Sequence, residues 1–129
     1  MAGSTTLGNR IRELRNAKKV EDPRFSQRKF SEMLDLSPTY LSRVEGDELI
    51  PAAETIKKIA IALGTDPDEL LALAEKVDPE LNGIILEKPK AMAAFLRTAS
   101  GMSESQLDRF RMYMEAEKKH EEDNGNAPS

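Results

Sequence analysis

The side chains with the clearest potential for molecular recognition lie together in the stretch SPTYLSR, residues 37–43. Thr39 offers a hydroxyl and a methyl group, and Arg43 offers a planar guanidinium that can donate two parallel hydrogen bonds to one group. Tyr40 and Ser42 add two further hydroxyl groups. Thr39 and Arg43 are four residues apart, so they share one face if the stretch is helical. This pattern indicates recognition through hydrogen bonds.

The sequence has few of the side chains that catalysis and metal binding usually require. The 129 residues include no Cys, and His120 is the only His. These two facts exclude a thiol nucleophile, a Cys-ligated zinc site and a His-based triad. No Gly-rich segment predicts a phosphate-binding loop for a nucleotide. We therefore predict a protein that is not an enzyme and that needs no cofactor.

Apolar residues recur at intervals of three and four, which indicates α-helices and an all-α fold class. No segment alternates apolar and polar residues in the manner of a β-strand. In the third helix, Ser37 is the expected N-cap and Pro38 takes the first helical position, where a missing N–H costs nothing. The predicted helices run over about residues 6–18, 26–34, 37–45, 52–63, 66–77, 79–88, 90–98 and 104–119.

The second and third predicted helices are short and are joined by a tight turn, which is the arrangement of a bihelical DNA-binding unit. Asp35 occupies the turn and tolerates a left-handed backbone better than most residues. Ser31 is small enough for a close approach of the two helices. The residues expected at the crossing are apolar: Phe30, Leu34, Leu36, Leu41 and Val44. With these residues buried, the start of the third helix must point outward.

Residues 7–71 resemble the lambda-repressor-like helix-turn-helix family, also called the XRE family. The resemblance implies a five-helix DNA-binding domain, which we expect within residues 1–77, and double-stranded DNA as the partner. The matching motifs are, in chain order, IRELR, SQRKFSEMLDLS, YLSRVE, Pro51 and IKKIAIALGTDPDELL.

The resemblance also implies which residues contact DNA. Gln27 would contact a phosphate or support a base contact, Pro38 and Thr39 would meet base edges, and Arg43 would lie one turn further along. Thr39 can pack its methyl group on thymine, and Arg43 can donate to guanine O6 and N7. For Tyr40, the alternative is that the ring packs on the core and leaves its hydroxyl in water. The full expected set of DNA-binding residues is Gln27, Arg28, Ser37, Pro38, Thr39, Tyr40, Ser42 and Arg43.

Two further residues match the family in a structural role. The family places an Arg of the first helix against a Glu that ends the third, and Arg15 and Glu45 occupy these positions. We therefore expect a partly buried ion pair with no direct DNA contact. Asp47 and Glu48 follow, and as acidic residues they would repel phosphate on that side. Compensating positive charge is available from Lys18, Lys19, Arg24, Arg28 and Lys29.

The remaining sequence differs in charge and has a different expected role. Residues 1–63 carry 11 basic and 9 acidic residues, whereas residues 64–129 carry 8 and 14. Residues 78–119 contain too few apolar residues for an independent core, so we predict a small helical module that forms a homodimer. The alternative is that these helices pack on the chain's own fifth helix. The polar segment 120–129 is expected to be disordered.

The sequence therefore predicts a dimeric repressor that binds a (pseudo)palindromic operator. The layout of an XRE domain followed by a short helical module is similar to that of repressors inactivated by a partner metallopeptidase, which would cleave the C-terminal module. The competing hypothesis is an antitoxin-like protein that neutralises a toxin through its C-terminal helices. No signal-peptide pattern or membrane-spanning run is present, so we expect a cytoplasmic protein that does not bind membranes.

Overall fold

The computed structural model describes residues 5–125, and within that range every regular element is helical. This confirms the predicted all-α fold class. One turn of 3-10 helix lies at Pro23–Phe25. The α-helices are α1 Leu7–Lys19, α2 Gln27–Met33, α3 Pro38–Glu45, α4 Ala53–Leu63, α5 Pro67–Leu73, α6 Pro79–Glu87, α7 Pro89–Ala99 and α8 Glu104–Gly125.

The chain forms two compact units that divide between Gly83 and Ile84. Among the described residues, every buried side chain lies between Leu7 and Ala74, within the first unit. Helices α1 to α5 all contribute to this core. Its most deeply buried apolar members are Ile11, Phe30, Leu41, Val44, Ile56, Ile59, Leu70 and Leu71. The core is mostly aliphatic, as the low aromatic content of the sequence predicts.

The turns and helix starts are determined by local residue chemistry. Asp35, between α2 and α3, has φ 60°, which confirms the predicted left-handed turn, and Gly64, after α4, has φ 71°. Ser37 accepts a hydrogen bond from the N–H of Tyr40 at 3.0 Å. At α8, Ser103 Oγ accepts from the N–H of Gln106, and the Gln106 side chain accepts from the N–H of Ser103. This reciprocal pair is a capping box.

The start of α1 is held by a residue far away in sequence. Asp47, in the loop after α3, accepts from the N–H of Gly8 at 3.0 Å and from the hydroxyl of Thr6 at 2.7 Å. A carboxylate is stabilising at this position because the amino end of a helix carries partial positive charge. Asp47 therefore joins the end of α3 to the start of α1.

Gly8 is required for the close approach of α1 to the end of α3. A Cβ atom on Gly8 would lie 2.5 Å from the carbonyl oxygen of Val44 and 2.7 Å from that of Glu45.

We expect Gly8→Ala to lower the free energy of unfolding by about 1–3 kcal/mol, because backbone atoms must shift to relieve the overlap. Urea unfolding would measure the change. In the control Gly83→Ala, the new methyl group meets no atom within 4 Å. Its free energy of unfolding should be unchanged or slightly higher. Equal stability of both variants would contradict the required close approach.

Asp78 is tied to α4 within the first unit. Its carboxylate accepts from the N–H of Glu80 at 3.0 Å and lies 3.1 Å from Lys57 Nζ. These two groups lower the pKa of Asp78 because both stabilise its charged form. The chain that follows α5 is thus attached to the first unit.

The second unit is an αα-hairpin made by α7 and α8 together with the end of α6. The rings of Phe95 and Phe110 join the two long helices with their centroids 6.1 Å apart. Helix α8 continues to Gly125, beyond the predicted end near residue 119 and into the segment expected to be disordered. The rest of that segment, residues 126–129, lies outside the described residues. No helix between residues 5 and 125 is long and apolar enough to cross a membrane.

Candidate nucleic-acid interface

Helices α2 and α3 cross at the residues that the sequence predicts. Phe30, Ser31 and Leu41 are fully buried, and Leu34 and Val44 are almost so. The N–H of Leu36 donates to the carbonyl oxygen of Ser31 at 2.8 Å, which closes the turn. Buried contacts therefore fix the angle between the two helices, and they leave the other side of α3 free.

The exposed side of α3 carries four of the predicted recognition residues. Pro38, Thr39, Ser42 and Arg43 are all exposed. Thr39 and Arg43 are separated by one helical turn and so lie on the same face. Within residues 5–125, no carboxylate lies within 4.0 Å of the Arg43 guanidinium. The Arg43 side chain is therefore available to a ligand without first breaking an internal ion pair.

Ser37 and Tyr40 are more closely engaged with the protein. The hydroxyl oxygen of Ser37 caps α3 by accepting from the N–H of Tyr40. The Tyr40 ring is half-buried and packs against the hydrophobic core. Ser37 thus positions the start of α3, and Tyr40 has a packing role in addition to any contact its hydroxyl makes.

Arg15 and Glu45 form the predicted buried ion pair. Arg15 Nε and one terminal nitrogen donate to the two oxygens of Glu45 at 2.6 and 2.8 Å, in a bidentate arrangement. The other terminal nitrogen donates to the carbonyl oxygen of Phe25 at 3.0 Å. Arg15 is 5% exposed and Glu45 is 1% exposed. The pair fastens the end of α3 to α1 and to the loop that precedes α2.

Gln27, the first residue of α2, is connected to the same carboxylate. Its side-chain N–H donates to Glu45 Oε1 at 3.2 Å, and the residue is half-buried. An amide nitrogen has two hydrogens, so one N–H of Gln27 remains as a donor. Arg28, the next residue, is exposed. Its Nε lies 3.9 Å from Glu32 Oε1, which is too far for a hydrogen bond. The start of α2 therefore presents one amide donor and one exposed cation.

Residues 11–70 match a protein-family model described as helix-turn-helix, and this range contains α2, α3 and α4 in full together with most of α1 and the first half of α5. Residues 11–70 belong to the helix-turn-helix family. The predicted resemblance to the XRE type is confirmed over this range, and the domain is a DNA-binding domain of that type. No curated protein and no solved structure matches the chain.

Arg12 supports the end of α3, which sequence reasoning missed. It donates to the carbonyl oxygen of Glu45, the last residue of α3, at 2.9 Å, and its side chain is about half exposed. A cation at this end of α3 stabilises the helix because the carbonyl end carries partial negative charge. The motif IRELR contained the signal, since Arg12 and Arg15 are three residues apart and so neighbour one another on α1.

The positive charges that flank the helix-turn-helix unit differ in their availability. Arg24 makes hydrogen bonds of 2.7–3.1 Å to Asp22, and these bonds lower the pKa of that carboxyl group. Lys18 Nζ lies 5.5 Å from the centroid of the Phe25 ring. Arg28 and Lys29 are exposed at the start of α2. Of the predicted compensating charges, Arg28 and Lys29 are therefore the best placed to act beside α2 and α3.

Proposed function

We propose that this helix-turn-helix protein is a cytoplasmic transcriptional repressor that binds a (pseudo)palindromic operator as a dimer. The observation that carries the proposal is the exposed face of α3, which presents Thr39, Ser42 and Arg43 from a helix fixed by the buried Arg15–Glu45 pair. A rigid helix of this kind can enter the major groove. Bound at a promoter, the protein excludes polymerase, and no catalytic step is required.

Base recognition in this proposal comes from α3. Arg43 donates to guanine O6 and N7, and Thr39 packs its methyl group on thymine or hydrogen-bonds a base. Pro38 contributes only apolar contact because it has no N–H to donate. Ser42 lies three residues after Thr39, so its hydroxyl can reach a phosphate beside the bases read by Thr39 and Arg43.

Backbone contacts in this proposal come from the start of α2. The remaining N–H of Gln27 donates to a phosphate oxygen, and Arg28 and Lys29 neutralise neighbouring phosphates. Asp47, which alone would repel DNA, is hydrogen-bonded to Gly8 and Thr6 and therefore faces the start of α1. The resulting affinity should fall with rising salt, as counterion release requires.

The proposal predicts that Arg43→Ala weakens binding to the specific site by about 1–3 kcal/mol and relaxes base preference at one position per half-site. The site would first be selected from a random DNA library by the unaltered protein. Fluorescence anisotropy would then compare binding to that site and to its single-base variants.

Arg43→Lys is the matched control because it keeps the positive charge but loses the planar guanidinium, which can donate two parallel hydrogen bonds. It should lose base preference like Arg43→Ala, while retaining more of the affinity for random DNA. Wild-type discrimination by Arg43→Lys would mean that Arg43 contributes only charge. If the wild-type protein enriches no sequence from the library, the repressor proposal itself is wrong.

Dimerisation through residues 79–119 is the second part of the proposal. In the described part of that module, Phe95, Leu107, Phe110 and Met114 are 40–46% exposed. This exposure fits an apolar surface that a second protein molecule covers. Cleavage within the module by a metallopeptidase would remove the dimer contact and leave the DNA-reading unit intact. This would relieve repression.

An antitoxin-like role is the second candidate function. The observation that favours it is the acidic C-terminal half, with 8 basic and 14 acidic residues, combined with the exposed apolar side chains of the second unit. A basic toxin could bind such a surface. The two functions are separated by the mass in solution of the protein purified alone, because the repressor is expected to be a dimer without any second protein.

A further inference from the structure

The second unit contains an apolar groove between α7 and α8. Its volume is about 380 Å³, and its apolar lining is formed by Phe95, Leu107, Phe110 and Met114. The last three recur along α8 at helical spacing and so form one stripe. Arg111, Glu115 and Lys118 border the groove on the same helix.

The helices that form this groove have no core of their own. Between Ile84 and Asn124 no residue is buried. Nine large apolar side chains in this range are between 40% and 74% exposed. With an area on the order of 150–250 Å² for a large side chain, the eight of these other than Met112 leave roughly 700 Å² uncovered. A stable protein interface takes about 800 Å² from each partner.

From these observations we propose that a second copy of this chain fills the groove, so that two α7–α8 hairpins form a four-helix bundle around a two-fold axis. The bundle would bury Phe95, Leu107, Phe110 and Met114 of both copies. This inference rests on the proposed dimeric function and specifies the interface that the dimer uses.

The charges at the edge of the groove fit a second copy. Arg111 and Glu115 already pair on the same helix at 2.9 Å, and Lys118 lies one turn further on. Both signs therefore border the apolar lining, and two identical surfaces can meet without a large field of one sign. In a two-fold interface each contact occurs twice, so a short hairpin can bury enough apolar area for stable association.

The charge distribution along α8 favours an antiparallel arrangement of the two α8 helices. Residues 104–114 carry two acidic and two basic side chains, whereas residues 115–125 carry five acidic and two basic ones. Parallel helices would place the two acidic halves side by side. Antiparallel helices place the two acidic halves at opposite ends of the interface. Pairing centred near Phe110 then sets Leu107 opposite Met114 of the second copy.

The first test is the mass of the full chain in solution, measured by sedimentation without DNA. Wild type should sediment at twice 14.4 kDa. Phe110→Asp should sediment as a monomer at concentrations where the wild type is fully dimeric. Met112→Asp is the matched control, because Met112 is an exposed apolar residue of α8 outside the groove. It should remain a dimer.

Two outcomes of this test would overturn the inference. A wild-type monomer would mean that no second copy covers the groove. A Phe110→Asp protein that remains dimeric would place the dimer contact elsewhere. Helical content from circular dichroism and binding to random DNA would be measured for every variant. Retention of both by Phe110→Asp shows that it has lost association and not its fold.

The second test uses the absence of Cys from the sequence, because single-Cys variants then cross-link only at the chosen position. Leu107→Cys and Met114→Cys would be mixed, allowed to exchange subunits and oxidised. The antiparallel bundle predicts that the disulfide between positions 107 and 114 predominates. Predominance of the two symmetric disulfides would contradict the antiparallel arrangement.

Failure of this inference can be told apart from failure of the repressor proposal. If the protein selects a DNA sequence but its dimer survives Phe110→Asp, the interface is wrong and the repressor proposal stands. If Phe110→Asp dissociates the dimer but the wild type selects no sequence, the bundle stands and the repressor proposal falls.

Discussion

Glu45→Ala is expected to lower the free energy of unfolding by about 3–5 kcal/mol, which is the usual cost of stranding one charge of a buried pair. Glu45 accepts from Arg15 twice and from Gln27 once, and it is 1% exposed. Without this carboxylate, Arg15 keeps its bond to Phe25 but loses its counterion in a buried position. Chemical denaturation followed by circular dichroism would measure the loss.

Glu48→Ala provides the control for Glu45→Ala. Glu48 is three residues further along and exposed, so its removal changes the net charge equally. An exposed substitution of this kind should change stability by no more than about 0.5 kcal/mol. A Glu45→Ala protein that unfolds at the same denaturant concentration as Glu48→Ala would show that the buried pair does not hold α1 to α3.

The same substitution should also affect DNA binding through Gln27. In the intact protein, Glu45 holds one N–H of Gln27 and so restricts the amide. In Glu45→Ala the amide is released, and the phosphate contact proposed for its second N–H loses its fixed geometry. Binding should be compared at a temperature where both proteins are fully folded, so that any loss reflects Gln27 and not unfolding.

Local chemistry made much of the fold predictable from the sequence. The left-handed turn at Asp35 follows from a short polar side chain between two apolar stripes, and the capping box of α8 follows from Ser103 and Gln106 at the required spacing. The Arg15–Glu45 pair was predictable from the family resemblance. Each of these features depends on residue type and position within a short segment or a known motif.

Contacts between distant segments were harder to predict. Asp47 was expected only to repel phosphate, yet it caps α1 across the fold. Glu69 follows Asp66 at the spacing of a capping box, yet its carboxylate oxygen lies 3.6 Å from a guanidinium nitrogen of Arg10 in α1, and the Asp66 side chain accepts from the N–H of Asp68 instead. In each case several polar partners were available to one carboxylate. Only the packing of α1 against its neighbours decided among them.

In the candidate site too, the features set within short segments were predictable, and the contacts between distant segments were not. The exposure of Thr39, Ser42 and Arg43 follows from the buried crossing of α2 and α3, which the apolar spacing predicted. The bond from Gln27 to Glu45 joins the start of α2 to the end of α3, so it depends on how the two helices are placed in space. The roles of these residues in DNA binding remain predictions.

Removal of the second unit by truncation after Gly83 should give a folded monomer that has lost specific operator binding. The first unit contains all the buried side chains found in residues 5–125, and this cut keeps the contact between Asp78 and Lys57. One recognition helix offers too few contacts for specific binding at cellular salt. A dimer instead places two such helices about 34 Å apart, or a multiple of this, on one face of the duplex. Operator affinity should therefore fall by orders of magnitude, whereas salt-dependent binding to random DNA should persist.

Truncation after Lys119 is the matched control for this experiment. It removes the end of α8 beyond the groove, whose last lining residue is Lys118, and so it should leave a dimer with wild-type operator affinity. Sedimentation and anisotropy on the same samples would give the mass and the affinity of each truncated protein. If the protein cut after Gly83 remains dimeric and binds the operator as tightly as the full chain, the second unit is not the dimer interface. Proteolysis of that unit could then not act as a switch, because dimerisation and operator binding would both survive its removal.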